Sequence, residues 1–480
     1  MGAPLYCIRF IEQSIIDGIH FIKHLQYVIM EKWLEIDSPI IKVDEKSLDV
    51  IYEIKVHDSE DVHIMRIWFE TSDVDQTAIS STASGVLVGL IPMSLKEGYD
   101  IKCNVPVDPE LVHNLSKTVI PALCKNDLRF REPVLDISKY KIEKVRKIVG
   151  TGLSLGVDSF CTIDDYSKCS ISEFKLNQLV FFNMYGKIDK GVIESTDKVS
   201  NELNLPIVYY SSNICTVMED WDAYIPCHPF FMASTILTLG RFDKYLFASG
   251  CDWTEVRLSN MFNADLAYSD PIIVPNLSTT NTSFYSVGLE YTRSQKTEIV
   301  SANSVATRYV SPCLTNFVGN CGWCYKCKRT LVTADVGGYL NRFSHVFNLD
   351  EYAECRCAYL YYLCEMKNDK HLADVYNKFK QQEPKLCATL ESKIPDLKRK
   401  YVDTPGWIVS TLANEGKLGA MRRLSYLYLN GVSENGRGDR DMLPNIPKAI
   451  FWAKKCSKSK DLSDIFQLVT CLSKGSTSDK

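Results

Sequence analysis

Two short segments of this 480-residue chain hold residue types whose spacing could do chemistry. In SPCLTNFVGNCGWCYKCKRT, Cys313, Cys321, Cys324 and Cys327 are separated by seven, two and two residues. Close thiol pairs on tight turns converge soft ligands on a tetrahedral ion, and Gly319 and Gly322 permit such turns. The expected ion is Zn2+; an iron–sulfur cluster is the other occupant open to four thiolates. In TGLSLGVDSF, residues 151–160, Gly152, Ser154, Gly156, Asp158 and Ser159 directly follow a run that reads as a buried strand. Glycine lets main chain approach phosphate oxygens, the serines can donate hydroxyls, and a helix N-terminus behind them favours an anion. Neither G-x-x-x-x-G-K-[ST] nor G-x-G-x-x-G occurs here, so the common triphosphatase loop and the dinucleotide fingerprint are both excluded.

These segments need strands and helices to hold them. From Lys144 the pattern alternates: VRKIVGTGL as a strand, VDSFCTIDDY opening a helix, NQLVFFNMYG as a strand, STDKVSNEL as a helix, LPIVYY as a strand, FFMASTILTLGRF as a helix and KYLFASG as a strand. Strands separated by helices of this length imply right-handed crossovers and a doubly wound parallel sheet over about 144–332. Residues 1–143 carry apolar runs such as LDVIYEIKV, VHIMRIWFE and GVLVGLI and read as a β-rich domain. Residues 333–480 read as helical. Within them Ala420, Leu424 and Tyr428 share one helical face, Gly431 ends that helix, and Lys448, Ala449, Trp452 and Lys455 occupy a second. This pair resembles one SEL-type, tetratricopeptide-like repeat at about 416–465, with a glycine- and charge-rich insertion at 433–441. A single repeat must lean on neighbouring helices or on a protein partner. The final SKGSTSDK is expected to be disordered.

Composition bounds the rest. With 45% apolar residues the chain has ample material for packed cores, and a formal charge of −4 gives no global basic field for nucleic acid or an anionic membrane. Local basic patches leave nucleic acid open. The N-terminal MGAPLYCIRF is broken by charge and lacks the apolar run of a signal peptide or span, so a cytoplasmic location without membrane contact is expected. The 18 cysteines then read as reduced thiols, the cluster of four apart.

SLGVDS resembles the S-G-G-x-D-S pyrophosphate loop of the PP-loop ATP pyrophosphatases, with Leu155 in place of the first glycine. The cysteine spacing extends that resemblance to the 7-cyano-7-deazaguanine synthases, the QueC family. That family joins such a loop to four zinc-binding cysteines, with C-G-x-C-x-x-C followed by Arg. Here the matching residues are Cys321, Gly322, Cys324, Cys327 and Arg329. NMYG resembles the family's aromatic-glycine turn, and YIPCHPFFMASTILTLGRFDKYLFASGCDWTE its V-P-G-R-N helix and following strand. Cys227, His228 and Pro229 depart from that helix motif.

The resemblance implies an adenine nucleotide alpha-hydrolase-like PP-loop fold with ATP, Mg2+ and Zn2+ as cofactors. It implies an enzyme that adenylates a small-molecule carboxylate of deazaguanine type, or a carboxylate on a macromolecule, releases pyrophosphate, and lets ammonia or another amine attack. Ser154, Leu155, Gly156, Val157, Asp158 and Ser159 would hold the pyrophosphate, with Asp158 and Ser159 catalytic and Asp158 also meeting Mg2+. Asn183 and Met184 would line the adenine pocket. Gly250 closes a strand, after which Asp252 and Glu255 are candidates for Mg2+ or amine contact, weighed against solvated loop carboxylates. Arg293 and Lys296 could neutralise phosphate, though helix-surface charge is the favoured reading, and His228 could be a general base, though a structural histidine is favoured. The departures suggest a divergent relative with its own substrate. Such relatives occur in anti-phage gene clusters, a setting the extra domains would suit. Two other readings stay open: tRNA thiolation through a Cys161–Cys251 persulfide pair, and a nucleotide-binding scaffold without catalysis.

Overall fold

The computed structural model describes residues 32–477 except 60, 76–78, 219–223, 241, 259–267, 315–317, 401–406, 432–443 and 460. The N-terminal MGAPLYCIRF, the 433–441 insertion and the Cys227 side chain thus lie outside the described residues. The chain forms two compact units. One comprises Met1–Gly152, Cys169–Lys190 and Leu205–Val287; the other comprises Leu153–Lys168, Gly191–Asn204 and Gly288–Lys480.

The first unit is built on an 11-stranded, mostly parallel sheet. Its strands are β1 (Trp33–Ile36), β2 (Ile40–Val43), β3 (Leu48–Asp58), β4 (Asp61–Thr71), β5 (Asp100–Cys103), β6 (Leu135–Ile137), β7 (Val149–Gly152), β8 (Gln178–Asn183), β9 (Ile207–Ser212), β10 (Lys244–Ala248) and β11 (Ser283–Val287). Their order is β11-β10-β7-β8-β9-β4-β3-β1-β5-β6, with β2 beside β3. Strands β7 to β11 are parallel, and the winding reverses between β7 and β10. Such a reversal is where open α/β sheets place ligands, at the carboxyl ends of the strands. Four of the five parallel strands match the expected ones; β11 was not foreseen.

Strands from the N-terminal region belong to this same sheet. Phe69–Thr71 of β4 pairs antiparallel with Tyr210–Ser212 of β9, so no gap in hydrogen bonding marks the expected boundary at residue 143. The alternation in β3, Leu48, Val50, Tyr52, Ile54 and Val56 inward, is the expected two-residue period. GVLVGLI is different. It was expected among the strands and instead lies in the helix Ser84–Glu97, where Val86, Leu87, Val88, Leu90 and Ile91 are all buried. An element buried on every side shows no period, so its apolar run alone did not distinguish strand from helix. Gly85 and Gly89 let the helix pack closely. A Cβ on Gly85 would lie 2.2 Å from Thr238 Oγ1, and one on Gly89 2.7 Å from Ser234 Oγ, so one glycine per turn lets this helix press against Tyr224–Leu239.

The second unit is helical. Its C-terminal part holds the expected pair, Leu418–Asn430 and Ile446–Cys456, with Ala420, Leu424, Tyr428, Ala449 and Trp452 buried and Gly431 at φ +73 ending the first helix. Ser425 Oγ donates to Ala449 O at 3.1 Å and fixes their crossing. Residues 473–477, expected to be disordered, continue the helix Leu462–Thr477; the last three residues lie outside the described ones. Among the described residues no helix is long and apolar enough to cross a membrane.

Candidate functional site

After β7 the backbone turns through Leu155, whose φ of +58 lies in the left-handed region. That conformation costs an L-residue about 1–2 kcal/mol, whereas glycine, the residue of the resembled motif, adopts it freely. The Leu155 side chain is buried, 2% exposed. Around the turn Gly156 N donates to Ser154 Oγ (3.3 Å), Ser154 Oγ to Ser159 Oγ (3.2 Å) and Ser159 Oγ to Gly156 O (3.0 Å). The helix Val157–Ser167 starts at Gly156 with no side chain capping it. Its first-turn N–H groups are left without a side-chain cap, and Asp158 is the acidic residue in that turn.

The helix Arg293–Ala302 brings charge to this loop. Its start is fixed by a capping box: Thr292 Oγ1 accepts from Gln295 N, and Thr292 N donates to Gln295 Oε1 at 2.8 Å. Arg293 and Lys296 follow in the first turns and are 8% and 1% exposed, which overturns the expectation of helix-surface charges. Arg293 Nη1 donates to Asp158 Oδ2, and Lys296 Nζ lies 3.6 Å from Oδ1. Burial alone would raise the Asp158 pKa, but Arg293 and Lys296, aided by Arg329, hold it well below the usual carboxylate range.

Further charges gather here from the helix Tyr325–Gly337 and the segment before Ala373. Burial and the neighbouring Arg293 push Arg329 down to about 10, so it stays charged at neutral pH. Burial, Arg293 and Arg329 lower Lys326 as well. Burial, then Arg329, Arg293 and Lys370, push His371 down to about 2, which leaves the imidazole neutral. Arg293 and Lys296 therefore pair with one carboxylate, and Arg329 adds its charge to the same field. Arg293 Nε, Arg329 Nε and Asp158 Oδ1 are buried without a hydrogen-bond partner. Each such atom costs about 1–3 kcal/mol, and an anion would satisfy both guanidinium donors.

The cysteine cluster forms beside this region of the same unit. The sulfurs of Cys313, Cys321, Cys324 and Cys327 all lie within 4.8 Å of one another. Cys321 N donates to Cys313 Sγ (3.5 Å), Cys324 N to Cys321 Sγ (3.2 Å) and Cys327 N to Cys324 Sγ (3.5 Å). Gly319 at φ +87 and Gly322 at φ +75 make the turns that aim these N–H groups. Hydrogen bonding from Cys313 and then Cys321 pushes the Cys324 and Cys327 thiols far up, because like groups resist joint ionisation. A divalent cation removes that conflict, and four convergent sulfurs fit tetrahedral zinc. Trp323 Nε1 donates to Glu351 Oε1 at 2.6 Å and Tyr359 Oη to Gly322 O at 3.1 Å, bracing the knuckle from outside. Ser311 N donates to Leu155 O at 2.8 Å, tying the Ser154–Ser159 loop to the chain two residues before Cys313.

The chain matches no protein-family profile, no curated protein and no solved structure. Its site is therefore read from its own geometry. Ser154, Asp158 and Ser159 are brought together with Arg293 and Lys296, which are buried rather than on the helix surface as the sequence favoured. His371 gave no signal in the sequence. Asn183, Met184, His228, Gly250, Cys251, Asp252 and Glu255 belong to the sheet unit, and Cys161 to the helical one. Asn183, at the end of β8, spends its side chain on its own turn: Nδ2 donates to Lys187 O (2.9 Å) and Oδ1 accepts from Tyr185 N (3.0 Å). Met184 is buried. Beyond Gly250, Asp252 Oδ1 accepts from Thr254 N (2.7 Å), and Asp252 N donates to Glu255 Oε2 (3.1 Å), so the two acids shape a turn. His228 stacks edge-on against Phe247 and is pushed down to about 4 by burial, as a structural histidine would be. Cys161 is buried, and burial followed by Asp165 pushes its thiol up to about 12; Cys251 is also buried.

Proposed function

We propose that this protein is a QueC-like PP-loop ATP pyrophosphatase. It transfers adenylate to a carboxylate substrate: a carboxylate oxygen attacks the α-phosphorus of ATP, the bond to the β-phosphate oxygen breaks, and pyrophosphate leaves. Ammonia or another amine then attacks the acyl adenylate, loses a proton and expels AMP. The observation that supports this reading is the excess of buried cations facing an uncapped helix N-terminus, because charge of that sign and burial calls for a phosphate chain. In this reading the first-turn N–H groups and the Ser154 and Ser159 hydroxyls grip phosphate oxygens, while Arg293, Lys296 and Arg329 offset charge on the departing pyrophosphate. Zn2+ at the four cysteines is structural, and Mg2+ arrives with the nucleotide.

A deazaguanine-type acid is the first substrate to try, on resemblance alone. The thiolation reading loses support, since a buried Cys161 thiol raised to about 12 is a poor nucleophile at neutral pH. Purified protein incubated with ATP, Mg2+ and candidate acids, with and without ammonia, should release equal amounts of AMP and pyrophosphate only when a correct acid is present. ATP binding with no AMP from any acid would leave the scaffold reading. The SEL-type pair then serves as the surface for a protein partner, and a cytoplasmic setting fits both cases.

A further inference from the structure

Asp158 is the residue on which the resemblance and the geometry diverge. A carboxylate that ligates Mg2+ needs an oxygen open to a small, strongly hydrated cation. Here Oδ2 is held by Arg293, while Oδ1 is buried with Lys296 Nζ 3.6 Å away. A divalent ion at either oxygen would sit against an ammonium or a guanidinium and meet its repulsion. The surroundings fit an anion instead. Arg293 and Lys296 already outnumber Asp158 by one charge, Arg329 brings a further buried guanidinium, and a terminal phosphoryl group carries about 1.5–2 negative charges near neutral pH.

We propose that Asp158 is a resident counter-ion: it occupies the anion seat of the unliganded protein, and the pyrophosphate group of the ligand displaces it from Arg293 and Lys296. This rests on the pyrophosphatase reading of the same loop and specifies what that loop recognises. The exchange would resolve three buried defects together. Pyrophosphate oxygens accept from Arg293 Nε and Arg329 Nε, and Asp158 Oδ1, once released, finds water. It also implies that pyrophosphate is bound through side-chain cations without needing Mg2+, and that the chain's own carboxylate weakens that binding.

The test is calorimetric titration of inorganic pyrophosphate into the full-length, zinc-loaded protein in Mg2+-free buffer, for the native chain, Asp158→Asn and Lys296→Met. The native chain should bind. Asp158→Asn, nearly isosteric, should bind about tenfold more tightly, and Lys296→Met about tenfold or more weakly. Weaker binding by Asp158→Asn, or binding by the native chain only when Mg2+ is added, would overturn the proposal. If Asp158→Asn loses its cooperative melting transition, Asp158→Ser takes its place with the same expected sign. Tighter binding by the variant with no AMP formed from any acid would retain the counter-ion and remove the enzyme. AMP formation combined with weaker binding by the variant would do the reverse.

Discussion

The cysteine knuckle and the Asp158 seat both crowd groups of one kind, and they solve the crowding in opposite ways. The knuckle draws all four ligands from residues 313–327, aims them with two left-handed glycines and supports the sulfurs with backbone N–H groups. Its single unmet need is one cation. The seat gathers residues 158, 293, 296 and 329 from three helices, sets buried cations against one carboxylate, and leaves three buried polar atoms without a hydrogen-bond partner. Its unmet need is an anion. The two are mechanically joined: Ser311 connects the loop at Leu155 to the Cys313 side, and the helix Tyr325–Gly337 carries both Cys327 and Arg329. The difference suggests a division of labour, in which a locally encoded scaffold holds a strained, charge-rich site in place.

The strongest way to break this comparison is to remove the scaffold. Cys324→Ala should abolish stoichiometric zinc and lower the melting temperature sharply, since structural zinc contributes on the order of 10 kcal/mol in small metal-folded domains. Because the seat hangs on the same helix, pyrophosphate binding should vanish too; retained binding would uncouple the two regions. Next in size is Arg329→Gln, which should weaken pyrophosphate binding about tenfold while metal analysis still finds a full complement of zinc, although position 329 is two residues from a ligand.

Leu155→Gly sets two effects against each other. Glycine relieves about 1–2 kcal/mol of left-handed strain, but removing a buried leucine side chain forfeits about 1.5–3 kcal/mol, and glycine adds unfolded-state entropy. The net expectation is a loss of about 1–2 kcal/mol, seen as a lower denaturant midpoint, with pyrophosphate affinity retained. Smallest is a pH effect. His371 is neutral when folded, its pKa pushed down to about 2, and titrates near its ordinary value of 6.5 when unfolded. The unfolded state therefore binds the extra proton as pH falls below that value, and this contribution to stability is lost progressively on acidification. Relative to His371→Gln, the native chain should lose about 1 kcal/mol between neutral pH and pH 5.5. Parallel stability curves for the two would show that His371 is not held in this cationic field.

Much of the frame was legible. The alternation of strands and helices from Val149 to Ala248 could be read from apolar runs separated by polar, turn-forming stretches, and Gly431 likewise marked the end of the helix Leu418–Asn430. The helix at Ser84–Glu97 was not, because burial on all sides erases periodicity. Nor did sequence indicate that β4 would join β9, since strand partners far apart in the chain leave no local mark. That pairing also bears on experiment: cutting away the first 140 residues would expose a central sheet edge, so truncation is a poor probe of the N-terminal region.

What the sequence determined by itself is whatever short-range geometry encodes: four thiols on adjacent turns, a glycine–serine loop ahead of a helix, and faces that repeat with the helical period. Only the tertiary structure decided which charges are buried. Arg293 and Lys296 look like solvated residues in any local window, because the free energy of a charge depends on the dielectric and the partners around it, and these come from residues more than a hundred positions away.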